Sequence, residues 1–88
     1  MIKLYGMHIC PDCEQAREQL LFAGVDFEFL DFADSTANLK EFLKIRDTSP
    51  LFEEVRREGK IGIPCFVRED GSITLEAADV LKEAGLGC

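Results

Sequence analysis

The segment Cys10-Pro11-Asp12-Cys13 stands between a short apolar run, Met1 to Tyr5, and a polar, periodic run from Glu14 to Phe22. The first predicts a strand and the second a helix. Two thiols three positions apart at a helix start have their sulfurs on neighbouring turns, within reach of one disulfide. The first turn also offers unpaired backbone N–H groups and a partial positive charge, which favour a thiolate over a thiol. Cys10, at the cap, is therefore the expected nucleophile. Pro11 suits the first helical position, where a missing N–H costs nothing and φ is already helical. The same C-x-x-C spacing opens many zinc sites, but a structural zinc needs a second ligand pair. His8, Cys65 and Cys88 are the other candidates and form no second knuckle, so spacing favours redox chemistry over zinc.

With 88 residues the chain makes one domain, 1–88, and its 47% apolar and 31% charged composition is that of a globular protein. No basic stretch precedes an apolar one at the N-terminus, and no run approaches membrane-spanning length. A cytoplasmic monomer without membrane contact is expected. In a reducing compartment four cysteines are reactive, ligating or simply buried, rather than a disulfide framework. A net charge of −7 argues against nucleic acid as a partner.

Along the chain, Ile2 to Tyr5 is a predicted strand and Pro11 to Ala23 a helix with an apolar stripe of Ala16, Leu20 and Leu21, capped by Gly24. Val25 to Phe32 alternates apolar and polar residues and predicts a second strand, completing a right-handed βαβ unit. Asp34 or Ser35 caps a second helix carrying Leu39, Phe42, Leu43 and Arg46. Ser49 and Pro50 restart a helix that ends at Gly59. Ile61 to Val67 is nearly continuously apolar, as a strand buried on both faces would be, yet it contains Pro64. Asp70-Gly71 predicts a hairpin turn into a strand from Ser72 to Leu75, and Glu76 to Ala84 a closing helix. The order is β-α-β-α-β-β-α.

A C-x-x-C heading the first helix, an apolar-Pro pair in the third strand and a closing hairpin plus helix together resemble the thioredoxin superfamily. The Cys10-Pro11-x-Cys13 form is most similar to dithiol glutaredoxins, over essentially the whole chain. The resemblance implies an α/β, thioredoxin-like fold with a four-stranded mixed sheet flanked by helices. It implies a cis peptide bond before Pro64, with the proline facing the dithiol, and a backbone at Ile63 that pairs with bound glutathione or peptide. It places the γ-glutamyl end of glutathione around Asp70 to Ala77, at Gly71 and Ser72. The chain departs from the family pattern at Asp12, where an aromatic is usual, and at Met7, where a lysine is usual.

The expected activity is that of a thiol–disulfide oxidoreductase acting in cell redox homeostasis on disulfide-containing proteins or glutathione mixed disulfides. Glutathione or a flavin-dependent thiol reductase would regenerate it, and no bound cofactor or metal is expected. Cys10 attacks, and Cys13 resolves the mixed disulfide. Asp12 opposes negative charge on the neighbouring sulfur while complementing the helix dipole. His8 is either a cationic stabiliser of the thiolate or a solvated loop residue. Ile63, Pro64, Asp12, His8, Gly71 and Ser72 are thus the candidate binding residues. Strand alternation turns Cys65 away from the face of Pro64 and makes it a buried small residue. Cys88 receives no role, and Arg46, Lys60 and Arg68 are the nearest candidates for binding a carboxylate. An iron–sulfur or zinc carrier and a non-catalytic interaction module are the competing classes.

Overall fold

Strand β1 (Ile2–Gly6) lies at the centre of a four-stranded sheet of order β2-β1-β3-β4 in the computed structural model, which describes residues 1–85. It pairs in parallel with β2 (Phe27–Asp31), from Ile2 opposite Phe27 to Gly6 opposite Asp31. On its other side it pairs antiparallel with β3 (Cys65–Val67), Tyr5 standing opposite Cys65; β3 in turn pairs antiparallel with β4 (Ile73–Thr74). Helices α1 (Pro11–Phe22), α2 (Thr36–Thr48), α3 (Glu53–Arg57) and α4 (Ala77–Glu83) flank this mixed sheet, and the architecture is the α/β, thioredoxin-like one. Among the described residues no helix is long and apolar enough to cross a membrane.

Alternation along the strands divides the core in two. Leu4 and Phe66, directly opposite one another, pack with Ala16 and Leu20 of α1 and Val80 of α4. Tyr5 and Cys65, one position along, face the other layer with Phe42 of α2 and Phe52. Burying a side chain such as Leu20 or Phe66 contributes about 2 kcal/mol, so each layer holds its helices by a few such residues. Backbone signals fix the helix ends. Gly24 at φ 71° closes α1 in a Schellman motif, with Val25 N–H donating to Leu20 O and Gly24 N–H to Leu21 O. Ser35 caps α2 by accepting from Ala37 N–H at 3.1 Å.

Three expectations change. Leu21 does not join the apolar stripe of α1 but is 56% exposed; Cys13 takes that place. The helix restarting at Pro50 is a 3₁₀ turn, Pro50–Phe52, running into the five-residue α3. The third strand begins only at Cys65, because Gly62 at φ 94° and the cis bond between Ile63 and Pro64 bend residues 61–64 out of the ladder. Ile61 is accordingly exposed rather than buried on both faces.

Candidate functional site: a dithiol at the head of the first helix

β1 delivers the chain to the sheet's edge at Gly6, and the next four residues form a turn closed by Cys10 N–H donating to Met7 O at 3.0 Å. Cys10 is the cap residue of α1, extended at φ −88° and ψ 118°, and Glu14 N–H donates to its carbonyl in the first helical bond. No side chain caps this helix. The amides of its first turn are thus left to whatever charge forms at Cys10.

Cys10 is half-buried, while Cys13, one turn on, has no exposed surface. Burial pushes the Cys13 thiol up to about 12; a hydrogen bond from the Met7 backbone works the other way, and the thiol of Cys10 and the charge of Asp12 add to the rise. Cys13 rests on Gly6, where a Cβ atom would lie 2.7 Å from its sulfur. Only glycine at the end of β1 leaves room for the inner thiol.

Residues 59–64 form the opposite wall. Arg46 on α2 holds this segment by donating to the carbonyls of Lys60 and Ile61. Gly62 packs so closely on Phe52 that a Cβ would come within 2.7 Å of its ring. Cys10 opens into a cleft of about 540 Å³ shared with Ile9, Val55, Ile61 and Ile63. Pro64 and Asp12 line an adjoining cleft of about 390 Å³ with Glu76 and Ala77. A further cleft, about 570 Å³ between the end of α1 and Leu81, contains no thiol.

The structure therefore brings Cys10, Cys13, Asp12, Ile63 and Pro64 together, but not Gly71 and Ser72. Because β3 runs antiparallel to β1, the turn after it lies at the N-terminal end of β1, across the sheet from the thiols. There Gly71 N–H donates to Arg68 O, Ser72 hydrogen-bonds Asp70, and Glu69 pairs with the amino group of Met1. Leu75 to Ala78, after β4, is the segment that reaches the Pro64 cleft. Arg68 belongs to the distal turn, paired with Glu83 at 2.6 Å, and of the three candidate cations only Lys60 lines the Cys10 cleft.

His8 is a solvent-exposed turn residue, as one of the two readings expects, and it is tethered to Asp31. Its Nδ1 lies 2.7 Å from Asp31 Oδ2, and its backbone N–H donates to the same oxygen at 3.1 Å. Asp31, 3% exposed at the end of β2, also accepts from Ala33 N–H at 2.8 Å. Burial alone would raise its carboxyl, but the donors from Ala33 and His8 outweigh that and hold it below the usual range. Sequence reasoning missed this residue, although its place on the apolar parity of Val25, Phe27 and Phe29 marks a buried carboxylate. Cys65 lies in the other layer among Tyr5, Phe42 and Phe52, its thiol pushed up to about 12 by burial. Among the described residues, no three of His, Cys, Asp and Glu gather as metal ligands. Cys88 lies outside the described residues.

Fold and site together define a thioredoxin-like α/β protein with adjacent thiols heading its first helix. The chain is 32% identical over 73 residues to an uncharacterized protein of Haemophilus influenzae, covering 83% of this chain and 85% of that one, and it belongs to the same family. No protein-family model matches it, and no solved structure matches it.

Proposed function

We propose that the protein is a glutaredoxin-like thiol–disulfide oxidoreductase that reduces protein or glutathione mixed disulfides through Cys10 and Cys13. The observation that carries this reading is the placement of a solvent-reaching thiol at a helix cap and an enclosed thiol one turn along, beside Ile63 and Pro64. Cys10 sulfur attacks a substrate disulfide, forming a mixed disulfide and releasing one substrate thiol. Cys13 then loses its proton, bonds to Cys10 and releases the second. The substrate gains the two electrons that the pair loses. A buried Cys13 thiol suits this order, because it stays protonated and unreactive until its neighbour is engaged. The oxidised pair is regenerated by glutathione or a flavin-dependent thiol reductase in a reducing compartment such as the cytoplasm. No resident cofactor enters the cycle.

The test offers the oxidised protein glutathione and, separately, a thioredoxin reductase with its nicotinamide, and counts free thiols by alkylation and mass. One of the two is expected to restore both thiols, and the reduced protein then to reduce a disulfide substrate. Thiols that never interconvert with a disulfide would refute the reading.

A further inference from the structure

Ile63 is shared by two clefts whose walls differ in chemistry. The cleft holding Cys10 is walled by Met7, Ile9, Val55 and Ile61, with Lys60 beside them. Ile9 and Ile61 are 70% and 56% exposed. Past Met7 and Ile61 the apolar surface continues into a depression lined by Phe32, Leu39 and Leu43. The cleft beside Pro64 carries instead the carboxylates of Asp12 and Glu76 and the amides of Gln15 and Gln19. Both carboxylates are on exposed residues, neither has an ion-pair partner among the described residues, and no described Lys or Arg lines that cleft.

Exposed apolar side chains around a reactive thiol contribute to binding only when an apolar partner covers them. Neighbouring carboxylates without a counter-charge, on a chain of net charge −7, attract a cation and repel an anion. Glutathione, small, hydrophilic and net anionic, satisfies neither wall. Lys60, the cation among the described residues that line the Cys10 cleft, is engaged with Glu58 at 2.8 Å.

Resting on the redox function proposed above, the geometry points to a polypeptide disulfide as the substrate of Cys10. Its cysteine is flanked on one side by a large apolar residue, which enters the Ile9–Ile61 cleft, and on the other by Lys or Arg, which meets Asp12 and Glu76. Cys10 sulfur bonds to that cysteine as the substrate's S–S bond breaks and its other sulfur leaves with a proton. Cys13 completes the two-electron transfer by displacing the bound cysteine as a thiol. Glutathione disulfide reacts through the same atoms but gains nothing from either wall.

The test is single-turnover reduction by the pre-reduced protein of disulfide-linked dimers of short peptides. These are built around Leu-Cys-Lys and Lys-Cys-Leu, with Leu replaced by Asp or Lys by Glu, and compared with oxidised glutathione. Each rate is divided by that of dithiothreitol with the same disulfide, which removes intrinsic reactivity. In one of the two orders the Leu/Lys peptide is expected to react about tenfold faster than its Glu counterpart and than glutathione disulfide. In the Asp12→Asn, Glu76→Gln double variant the Lys-to-Glu ratio is expected to fall within about twofold. Comparable rates for all disulfides in the parent protein, or glutathione disulfide reacting fastest, would overturn the specificity while leaving the reductase function standing. Reduction of none of them, with Cys10 and Cys13 titrating as free thiols, would exclude both.

Discussion

Replacing Gly6 by alanine adds one methyl group at the point where β1 meets the inner thiol. That methyl would sit 2.7 Å from Cys13 Sγ and 3.2 Å from its Cβ, about an ångström inside ordinary contact. Gly6 is not among the positive-φ glycines, so its backbone accepts alanine and the effect is one of space alone. Cys13 has no exposed surface into which to retreat, and moving it means moving the first turn of α1. Overpacking of this kind costs about 1–3 kcal/mol. In a chain this size that lowers the melting temperature by roughly 4–24 °C, since about 1 kcal/mol corresponds to 4–8 °C. The assay is thermal unfolding of the reduced protein, coupled to titration of the Cys10–Cys13 pair in dithiothreitol buffers. Gly24→Ala is the comparator. Gly24 has no atom near its missing side chain but lies at φ 71°, so alanine costs about 1 kcal/mol of backbone strain there without reaching the thiols. Gly6→Ala is expected to lose stability and also to shift the dithiol–disulfide equilibrium; Gly24→Ala is expected to lose stability alone. A Gly6→Ala protein matching the parent in both measurements would refute the steric account.

Asp31→Asn is expected to cost about 1–3 kcal/mol at neutral pH, because a buried carboxylate accepting from Ala33 and His8 becomes a neutral amide. The folded-state value of Asp31 is lowered, so its stabilisation is complete above the ordinary carboxylate value near 4 and fades as pH falls through the folded value. The melting-temperature gap between parent and variant should therefore narrow below about pH 4; a constant gap from pH 7 to pH 2 would count against it. Cys13→Ser is expected to accumulate a mixed disulfide at Cys10, seen as a stable mass adduct, and to slow release of the second substrate thiol by roughly a hundredfold or more. Cys65→Ser should leave disulfide reduction within about threefold while lowering stability by about 1–3 kcal/mol, because a hydroxyl would replace a fully buried thiol among aromatic rings. Asp12→Asn should speed alkylation of Cys10 about two- to threefold at low salt, the effect of one charge several ångströms away, and the gain should shrink in high salt.

Local chemistry made most of the architecture legible. Pro11, Gly24, Ser35 and Pro50 act through backbone geometry and capping, which need no knowledge of distant residues, and each stands where its type predicts. The C-x-x-C spacing at the head of α1 was equally visible. What escaped depends on contacts between remote segments. The apolar letters of Ile61 to Val67 do not reveal that Arg46 would pin the start of that run outside the sheet. Gly71 and Ser72 are close to the α4 segment in sequence, but only the antiparallel course of β3 sets them at the far edge. Asp31 and Gly6 owe their roles to facing each other across β1 and β2, one holding the turn through His8 and the other seating Cys13.

The enclosure of Cys13 governs how the pair meets damage as well as substrate. A peroxide arriving from solvent encounters Cys10 first, because the sulfur behind it has no surface to offer. The sulfenic acid formed there has a thiol one turn along, which can condense with it and expel water before further oxygen is added. Loss of that neighbour would leave Cys10 open to oxidation past the point of repair.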